Sequence, residues 1–228
     1  MKTIGLIGGM SWESSAHYYR VLNQETARRL GGLHSAPVIL HSVDFAPIAQ
    51  MQSDGDWAGA GAVLAGIARQ LQAAGAEVIG LATNTMHVVA EAITADLNVP
   101  FIHIADPTSD ALLADGFGTV GLLGTRFTME MDFYRDRLSA RGLVSLIPEV
   151  DRTNLNGIIY DELCRGIVRD ESRRVYVDAI TRLAARGAEA VILGCTEITM
   201  LIDDDVSPLP VYDTTDLHAK ALVAAALA

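Results

Sequence analysis

The side chains of this sequence that could do chemistry stand in two short polar segments, each placed directly after an apolar run. Cys195, Thr196 and Glu197 follow the run at residues 190–193, and Thr83 leads a similar segment after residues 78–81. A cysteine acts as an acid or a base when its surroundings tune the thiol pKa away from about 8.5. A threonine hydroxyl is a far weaker acid, but it passes on protons within a hydrogen-bonded chain that includes water.

The two polar segments occupy matching positions in an internal repeat. Residues 71–79 resemble residues 183–191 at an offset of 112, and this offset places Thr83 opposite Cys195. Residues 3–8 resemble residues 119–124, and residues 99–101 resemble residues 209–211, at offsets of 116 and 110. A generic helix-glycine-strand unit explains one such match but not three in the same order. The sequence therefore predicts two similar halves.

Short apolar runs that are typical of buried strands alternate with longer runs that are typical of helices. This alternation predicts parallel sheets covered by helices on both faces. The predicted strands are 3–7, 38–42, 78–81, 101–104, 120–123, 190–193 and 211–212, and the predicted helices are 13–29, 58–74, 87–96, 129–140, 156–165, 171–186 and 216–227. We predict an α/β fold of two similar, pseudo-symmetric domains, each a mostly parallel sheet flanked by helices. The first domain holds residues 1–98 and 209–228, and the second holds residues 99–208.

The carboxyl ends of the predicted strands are the expected place for a ligand, because open α/β sheets bind ligands there. We therefore expect the active site in a cleft between the two domains, with Thr83 and Cys195 on opposite sides. Removal of a proton from one face of a tetrahedral carbon and delivery of a proton to the other face inverts that centre. Cys195 precedes an expected helix start, which favours a thiolate.

Three segments together resemble the aspartate/glutamate racemase family, and the likeness covers essentially the whole chain. They are Gly-Gly-Met at residues 8–10, Thr-Asn-Thr-Met-His at residues 83–87 and Gly-Cys-Thr-Glu-Ile at residues 194–198. The resemblance implies racemisation without pyridoxal phosphate or any other cofactor, by two opposed acid/base residues in an interdomain cleft. It also implies a small acidic amino-acid substrate and a homodimer.

The sequence departs from this family at Thr83, where most members carry a second cysteine. Subgroup members with the same Thr-Asn-Thr-Met-His segment resemble L-selective aspartate/glutamate racemases. Because the second-half cysteine generally deprotonates the L enantiomer in this family, the resemblance implies that L-Asp or L-Glu reacts far faster than the D form. The sequence does not distinguish aspartate from glutamate, or from another polar amino acid.

Substrate recognition is a second departure, since the basic side chains that family members often carry are missing. Gln52 matches the subgroup and is a candidate to hydrogen-bond a carboxyl group. Asn84, Thr85 and Thr196 lie near predicted helix starts, where backbone N–H groups bind the α-carboxylate without a formal positive charge.

The ends of the first strands of the two halves supply further candidates. Met10 and Ser11 are expected at the floor of the cleft, and Thr125 lies at the equivalent strand end of the second half. Arg126 is a candidate for the distal carboxylate, although a surface salt bridge is an equally good interpretation of one arginine.

Supporting roles are expected for Glu197 and His87. His87 either orients the cleft or packs at a helix start, and Cys164 is interpreted as structural.

Composition excludes several other classes of protein. The net charge of −11 and the absence of a basic patch argue against a nucleic-acid binder. Two cysteines are too few for a disulfide framework, and the dispersed histidines give no zinc-site spacing. The Gly-Gly pair at residues 8–9 lacks the spacing of a dinucleotide loop. No apolar stretch is long enough for a membrane helix, and we expect a cytoplasmic protein.

Two other functions stay open at this point. One is a related single-cysteine enzyme, such as a decarboxylase of the arylmalonate type, because that chemistry needs only one proton donor. The other is a non-catalytic sensor of acidic amino acids, which the missing first cysteine and the missing basic residues would suit. The racemase remains the leading hypothesis.

Overall fold

The computed structural model describes residues 1–228, which divide into two compact units. Unit 1 holds Met1–Ile104 and His218–Ala228, and unit 2 holds Ala105–Leu217. The strands are β1 (Ile4–Gly8), β2 (Val38–Ser42), β3 (Val78–Leu81), β4 (Phe101–Ile102), β5 (Thr119–Gly124), β6 (Val144–Leu146), β7 (Ala190–Gly194) and β8 (Val211–Asp213). The helices are α1 (Trp12–Leu30), α2 (Phe45–Asp54), α3 (Trp57–Ala73), α4 (Ala90–Thr94), α5 (Ala105–Ala114), α6 (Arg126–Glu130), α7 (Asp132–Ser139), α8 (Arg152–Asp161), α9 (Asp170–Ala185) and α10 (Thr214–Leu227).

Each unit contains one four-stranded, fully parallel sheet. The strand order is β2-β1-β3-β4 in unit 1 and β6-β5-β7-β8 in unit 2, so the two sheets share one topology. Strand β3 in unit 1 therefore corresponds to β7 in unit 2, as the offset of 112 indicates. The predicted α/β fold of two similar halves is confirmed.

The boundary between the units differs from the predicted one. Strand β4 pairs with β3 through Ile79 and Phe101, and β8 pairs with β7 through Val191 and Val211. Each fourth strand thus completes the sheet of its own half. The chain passes from one unit to the other after residues 104 and 217, whereas the sequence analysis placed these crossings after residues 98 and 208.

Helices α2 and α5 and strand β6 lie in segments where no regular element was predicted. Pro47 and Pro107 stand in the first turn of α2 and α5, where proline is tolerated because its missing N–H has no intrahelical partner. The Asp44 side chain caps α2 by accepting a hydrogen bond from the Ala46 N–H at 3.2 Å. Strand β6 is a three-residue edge strand, too short to show a pattern.

The core of each unit is built by helices that cover the sheet. In unit 1, one cluster includes Ile7, Leu64 and Leu81, and a second includes Leu6 and Leu222. In unit 2, the cluster consists largely of side chains from α8, α9 and the central strands, namely Leu123, Leu155, Ile158, Ile159, Leu163, Tyr176, Ala179, Ile180, Leu183, Ala188, Val191, Leu193, Cys195, Ile198, Leu201 and Ile202. None of the helices is both long and apolar enough to cross a membrane.

A glycine directly follows the predicted helix ranges 58–74 and 171–186, and in the structure it completes both helix ends. Gly75 and Gly187 follow α3 and α9 with φ angles of +97° and +98°, which glycine adopts without a side-chain penalty. Each leads directly into the central β3 or β7 strand, so these two turns aim the strands that carry Thr83 and Cys195.

Candidate active site

Cys195 follows the last residue of β7 and precedes a short 3₁₀ helix at Thr196–Met200. Its side chain is buried, with 8% of the residue exposed. The thiol donates a hydrogen bond to Glu197 Oε2, with Sγ and Oε2 3.0 Å apart. Glu197 is buried to the same extent, so the pair forms a thiol-carboxylate unit at the end of the central strand of unit 2.

The protonation state expected for Cys195 was wrong. Burial raises the pKa of Cys195 well above its ordinary value, and the Glu197 carboxylate raises it further by its charge and by its hydrogen bond. The helix that follows is a five-residue 3₁₀ helix, too short for the macrodipole effect that the sequence analysis invoked, and the Glu197 backbone N–H offsets only part of the rise. Cys195 is therefore a thiol at rest, with Glu197 as the nearest proton acceptor.

Threonine hydroxyls surround the end of β7. Thr196 Oγ1 lies 2.9 Å from Thr215 Oγ1, and Thr214 donates from Oγ1 to the Leu193 carbonyl at 2.9 Å. Both Thr214 and Thr215 are fully buried. Neither is among the candidate residues of the sequence analysis, although both follow β8 directly at the same edge of the sheet.

The end of β5 carries Thr125 and Arg126. Thr125 is buried and caps α6, because its Oγ1 accepts a hydrogen bond from the Thr128 N–H at 3.3 Å. The Arg126 N–H donates to Asn156 Oδ1 at 2.8 Å, and its guanidinium carbon lies 5.3 Å from the Phe127 ring centroid. The Arg126 guanidinium is exposed and forms no ion pair, so the alternative of a surface salt bridge is not what the structure shows.

The end of β1 in unit 1 forms a tight polar turn. Gly9 adopts a φ of +94°, and an added Cβ would lie 2.3 Å from the Val43 carbonyl oxygen, so only glycine fits. Ser15 Oγ accepts from the Gly9 N–H at 2.7 Å and donates to the Ser11 carbonyl at 3.0 Å. Ser11 also caps α1, and Met10 beside it is 6% exposed.

Thr83 lies just beyond β3 and is partly exposed. Its carbonyl oxygen accepts a hydrogen bond from His87 Nδ1 at 2.8 Å, and His87 Nε2 accepts one from the Ile104 N–H at 3.2 Å. These two bonds fix His87 as the neutral tautomer with its proton on Nδ1. His87 thereby positions the Thr83 backbone, while no hydrogen bond from the Thr83 hydroxyl to a protein group is formed.

The remaining predicted residues of unit 1 are buried beside Thr83. Asn84 and Thr85 precede and begin a 3₁₀ helix at Thr85–Val89 that leads into α4, where the sequence analysis predicted a single helix over residues 87–96. Gln52, on α2, donates from Nε2 to Met86 Sδ at 3.0 Å. A thioether is a weak acceptor, so the Gln52 carboxamide retains capacity to bind a stronger one.

Within each unit, the structure thus brings part of the predicted set together. Unit 2 joins Cys195 to Glu197, and unit 1 joins Thr83 to His87 and Gln52 to Met86. Cys164 packs against the core cluster that contains Cys195, as its structural interpretation implies. No three His, Cys, Asp or Glu side chains converge as a set of metal ligands.

Comparison with known proteins places this arrangement in a family. The model of the Asp/Glu/hydantoin racemase family matches residues 7–222. The chain is 50% identical to a Yersinia pestis protein of solved structure that is described as a candidate Asp/Glu racemase, with complete coverage of both chains and a TM-score of 0.93. It is 33% identical to an aspartate racemase homologue from Pyrococcus horikoshii, again with complete coverage and a TM-score of 0.85.

A curated relative points the same way. The broad specificity amino-acid racemase RacX of Bacillus subtilis is 25% identical over 163 residues, which are 70% of this chain and 69% of that protein. The matched region of the family model contains every candidate site residue named above. The chain belongs to the Asp/Glu/hydantoin racemase family.

Proposed function

We propose that this protein is a cofactor-independent racemase that converts L-aspartate or L-glutamate to the D enantiomer. Cys195 is the acid/base residue on one face of the α-carbon, and Thr83 serves the other face. Family membership supports the reaction class. The observation that carries the assignment is the buried Cys195–Glu197 hydrogen bond of 3.0 Å, because it gives the thiol a proton acceptor within reach.

In the direction from L to D, the resting thiol first transfers its proton to the Glu197 carboxylate. The thiolate then takes the α-proton, and the electron pair of the C–H bond moves into the substrate carboxylate. A new C–H bond forms on the opposite face with a proton from the Thr83 hydroxyl. A bound water then donates a proton to the Thr83 oxygen and restores the hydroxyl. Exchange with solvent returns the extra proton on Glu197 to the Thr83 side, and the cycle balances.

The remaining candidates divide into binding roles in this proposal. Asn84, Thr85 and Thr196 bind the α-carboxylate through backbone N–H groups and side chains, and Gln52 donates to a substrate oxygen. Met10 and Ser11 form the floor of the substrate site. Thr125 caps α6, and its main role is therefore to hold Arg126 in place. The resemblance to the family also supports a homodimer, and the expectation of a cytoplasmic location remains a proposal.

Solvent exchange at the α-carbon tests this proposal. Wild-type protein in deuterated water should replace the α-proton of L-Asp or L-Glu, and Cys195→Ala should abolish that exchange. Cys164→Ala is the matched control, because it removes the other thiol of the chain and should leave the rate near the wild-type value. Undiminished exchange by the Cys195→Ala variant would rule out the proposed role of this residue.

The resting thiol also favours a second candidate, a single-cysteine decarboxylase of the arylmalonate type. Such an enzyme needs a protonated donor for the carbanion that remains after loss of carbon dioxide, and Cys195 is held in that form. Release of carbon dioxide from an aryl malonate, without α-proton exchange from either amino acid, would favour the decarboxylase. Tight binding of an acidic amino acid with neither reaction would indicate a sensor.

A further inference from the structure

Helix α8 directs two polar side chains toward the part of unit 2 where β5 ends. Asn156 and Tyr160 are four residues apart and therefore share one face of the helix. The Asn156 carboxamide oxygen accepts the Arg126 N–H at 2.8 Å, which ties this face to the start of α6. Tyr160 extends from the same face one turn later. Neither Asn156 nor Tyr160 was a candidate in the sequence analysis.

Tyr160 occupies a polar position beside Cys195. Its ring is half-buried and packs against the core cluster that contains Cys195, yet its hydroxyl forms no hydrogen bond with the protein. Burial raises the pKa of Tyr160, the nearby Cys195, Cys164 and Glu197 raise it further, and the Arg126 guanidinium lowers it. The hydroxyl thus lies within electrostatic reach of Arg126 and stays a proton donor at every physiological pH.

Arg126 is a second donor without an acceptor at this place. Its guanidinium rests near the Phe127 ring and forms no ion pair, whereas Arg152 on the neighbouring helix pairs with Glu130 at 3.3 Å. A guanidinium and a hydroxyl that both lack acceptors suit a ligand that carries at least two acceptor oxygens and a negative charge. An ionised carboxylate meets both requirements and forms the stronger, charge-assisted hydrogen bonds.

We propose that the Tyr160 hydroxyl and the Arg126 guanidinium together bind the side-chain carboxylate of the acidic amino acid, with Asn156 as the residue that positions Arg126. This inference rests on the proposed function, because it concerns the substrate of the same site. It also explains how a protein with a net charge of −11 binds a dicarboxylic substrate in a unit where Glu197 lies close by.

The test compares three variants in the α-exchange assay with L-aspartate. Tyr160→Phe keeps the ring and removes the hydroxyl, and we expect KM to rise roughly tenfold or more, as for other hydrogen bonds to a charged group. Arg126→Gln should raise KM at least as much. The double variant should raise KM by less than the product of the two single effects, because both groups bind one carboxylate.

Tyr176→Phe is the matched control, since Tyr176 is fully buried and donates its hydroxyl proton to the Leu155 carbonyl at 3.0 Å. This variant should lower the melting temperature and leave KM unchanged. Tyr160→Phe should instead raise KM and leave the melting temperature unchanged. An unchanged KM for Tyr160→Phe in an active enzyme would overturn the subsite and leave the racemase proposal intact.

Titration with succinate separates the two hypotheses if the wild-type protein catalyses no exchange. Succinate is a dicarboxylate without an α-amino group, and its binding can be measured by calorimetry without turnover. Weaker succinate binding by both Tyr160→Phe and Arg126→Gln would support the subsite even in an inactive protein. Absence of succinate binding to the wild type, or equal binding by all variants, would overturn it.

Discussion

Replacement of Glu197 by glutamine should lower the pKa of Cys195. The substitution keeps an oxygen acceptor at the same place but removes the negative charge that lies 3.0 Å from the sulfur. Coulomb's law puts the repulsion between a thiolate and this carboxylate at roughly 1.4 kcal/mol in bulk water and roughly 5.5 kcal/mol at an effective dielectric constant of about 20. Because the substitution removes this repulsion, which disfavours the thiolate, the pKa of Cys195 should fall.

The pH dependence of alkylation by iodoacetamide measures this change directly. In a Cys164→Ala background, the alkylation rate of Cys195 reports its thiolate fraction, because the thiolate is the nucleophile. The rate should rise with pH toward a midpoint well above that of a free thiol, and the midpoint should move to lower pH in the Glu197→Gln variant.

A matched control is Glu189→Gln, which changes the net charge by the same amount. Glu189 precedes β7 and accepts the Gly118 and Thr119 N–H groups at 2.8 Å, while Cys195 follows the other end of this five-residue strand, about 20 Å away. The control should leave the midpoint unchanged. A midpoint that stays constant or rises in Glu197→Gln would refute the account of why Cys195 is a thiol.

Three further predictions concern the opposite face of the site and the stability of unit 1. Thr83→Ala should lose most inversion of L-aspartate, which chiral chromatography of the products would show; unchanged inversion would contradict the role of Thr83. Gly80→Ala should destabilise the protein by about 1–3 kcal/mol in urea unfolding, because the new Cβ would lie 2.6 Å from Leu222 Cδ1. Gly66→Ala is the control: its new Cβ would have its nearest neighbour at 3.9 Å, and the substitution should stabilise α3 by about 0.5–1 kcal/mol. The hydrogen bond from Arg28, together with Arg29, lowers the pKa of Glu25 from 4.5 to about 2. The Glu25 carboxylate therefore stabilises the fold above pH 4.5, and this contribution is lost as the pH falls toward 2. Glu25→Gln should therefore lower stability at pH 7 by about 1–3 kcal/mol, after allowance for the exposure of Arg28, and an equal loss at pH 2 would contradict this explanation.

The sequence predicted best those features of the fold that depend on neighbouring residues, such as strand starts and helix ends. The central strands β3 and β7 begin at the predicted residues, and the glycines at 75 and 187 end the preceding helices, because a glycine with positive φ after an apolar helix is a strong local signal. The internal repeat also predicted that the two units share one topology, which the matching strand orders of the two sheets confirm. Helices α2 and α5 were not predicted; each contains a proline in its first turn, a position that proline tolerates.

The candidate site was harder to predict because its chemistry depends on contacts across the fold. Cys195 and Glu197 are two residues apart, but only the turn into a 3₁₀ helix brings the carboxylate to the sulfur and reverses the expected protonation state. Asn156 lies thirty residues beyond Arg126, and its hydrogen bond to that backbone has no sequence pattern. The unit to which β4 or β8 belongs is likewise evident only from its pairing, with β3 or with β7, which the sequence does not show.

The central claim is that two different groups serve the two faces of one α-carbon, and the position of deuterium tests it most directly. L-aspartate is incubated with the enzyme in deuterated water, and the reaction is stopped while conversion is small. The account predicts that the D product carries deuterium at the α-carbon in nearly every molecule, whereas the recovered L substrate retains its proton. Equal deuterium in both enantiomers from the start would show that one group serves both faces, and the account would be wrong.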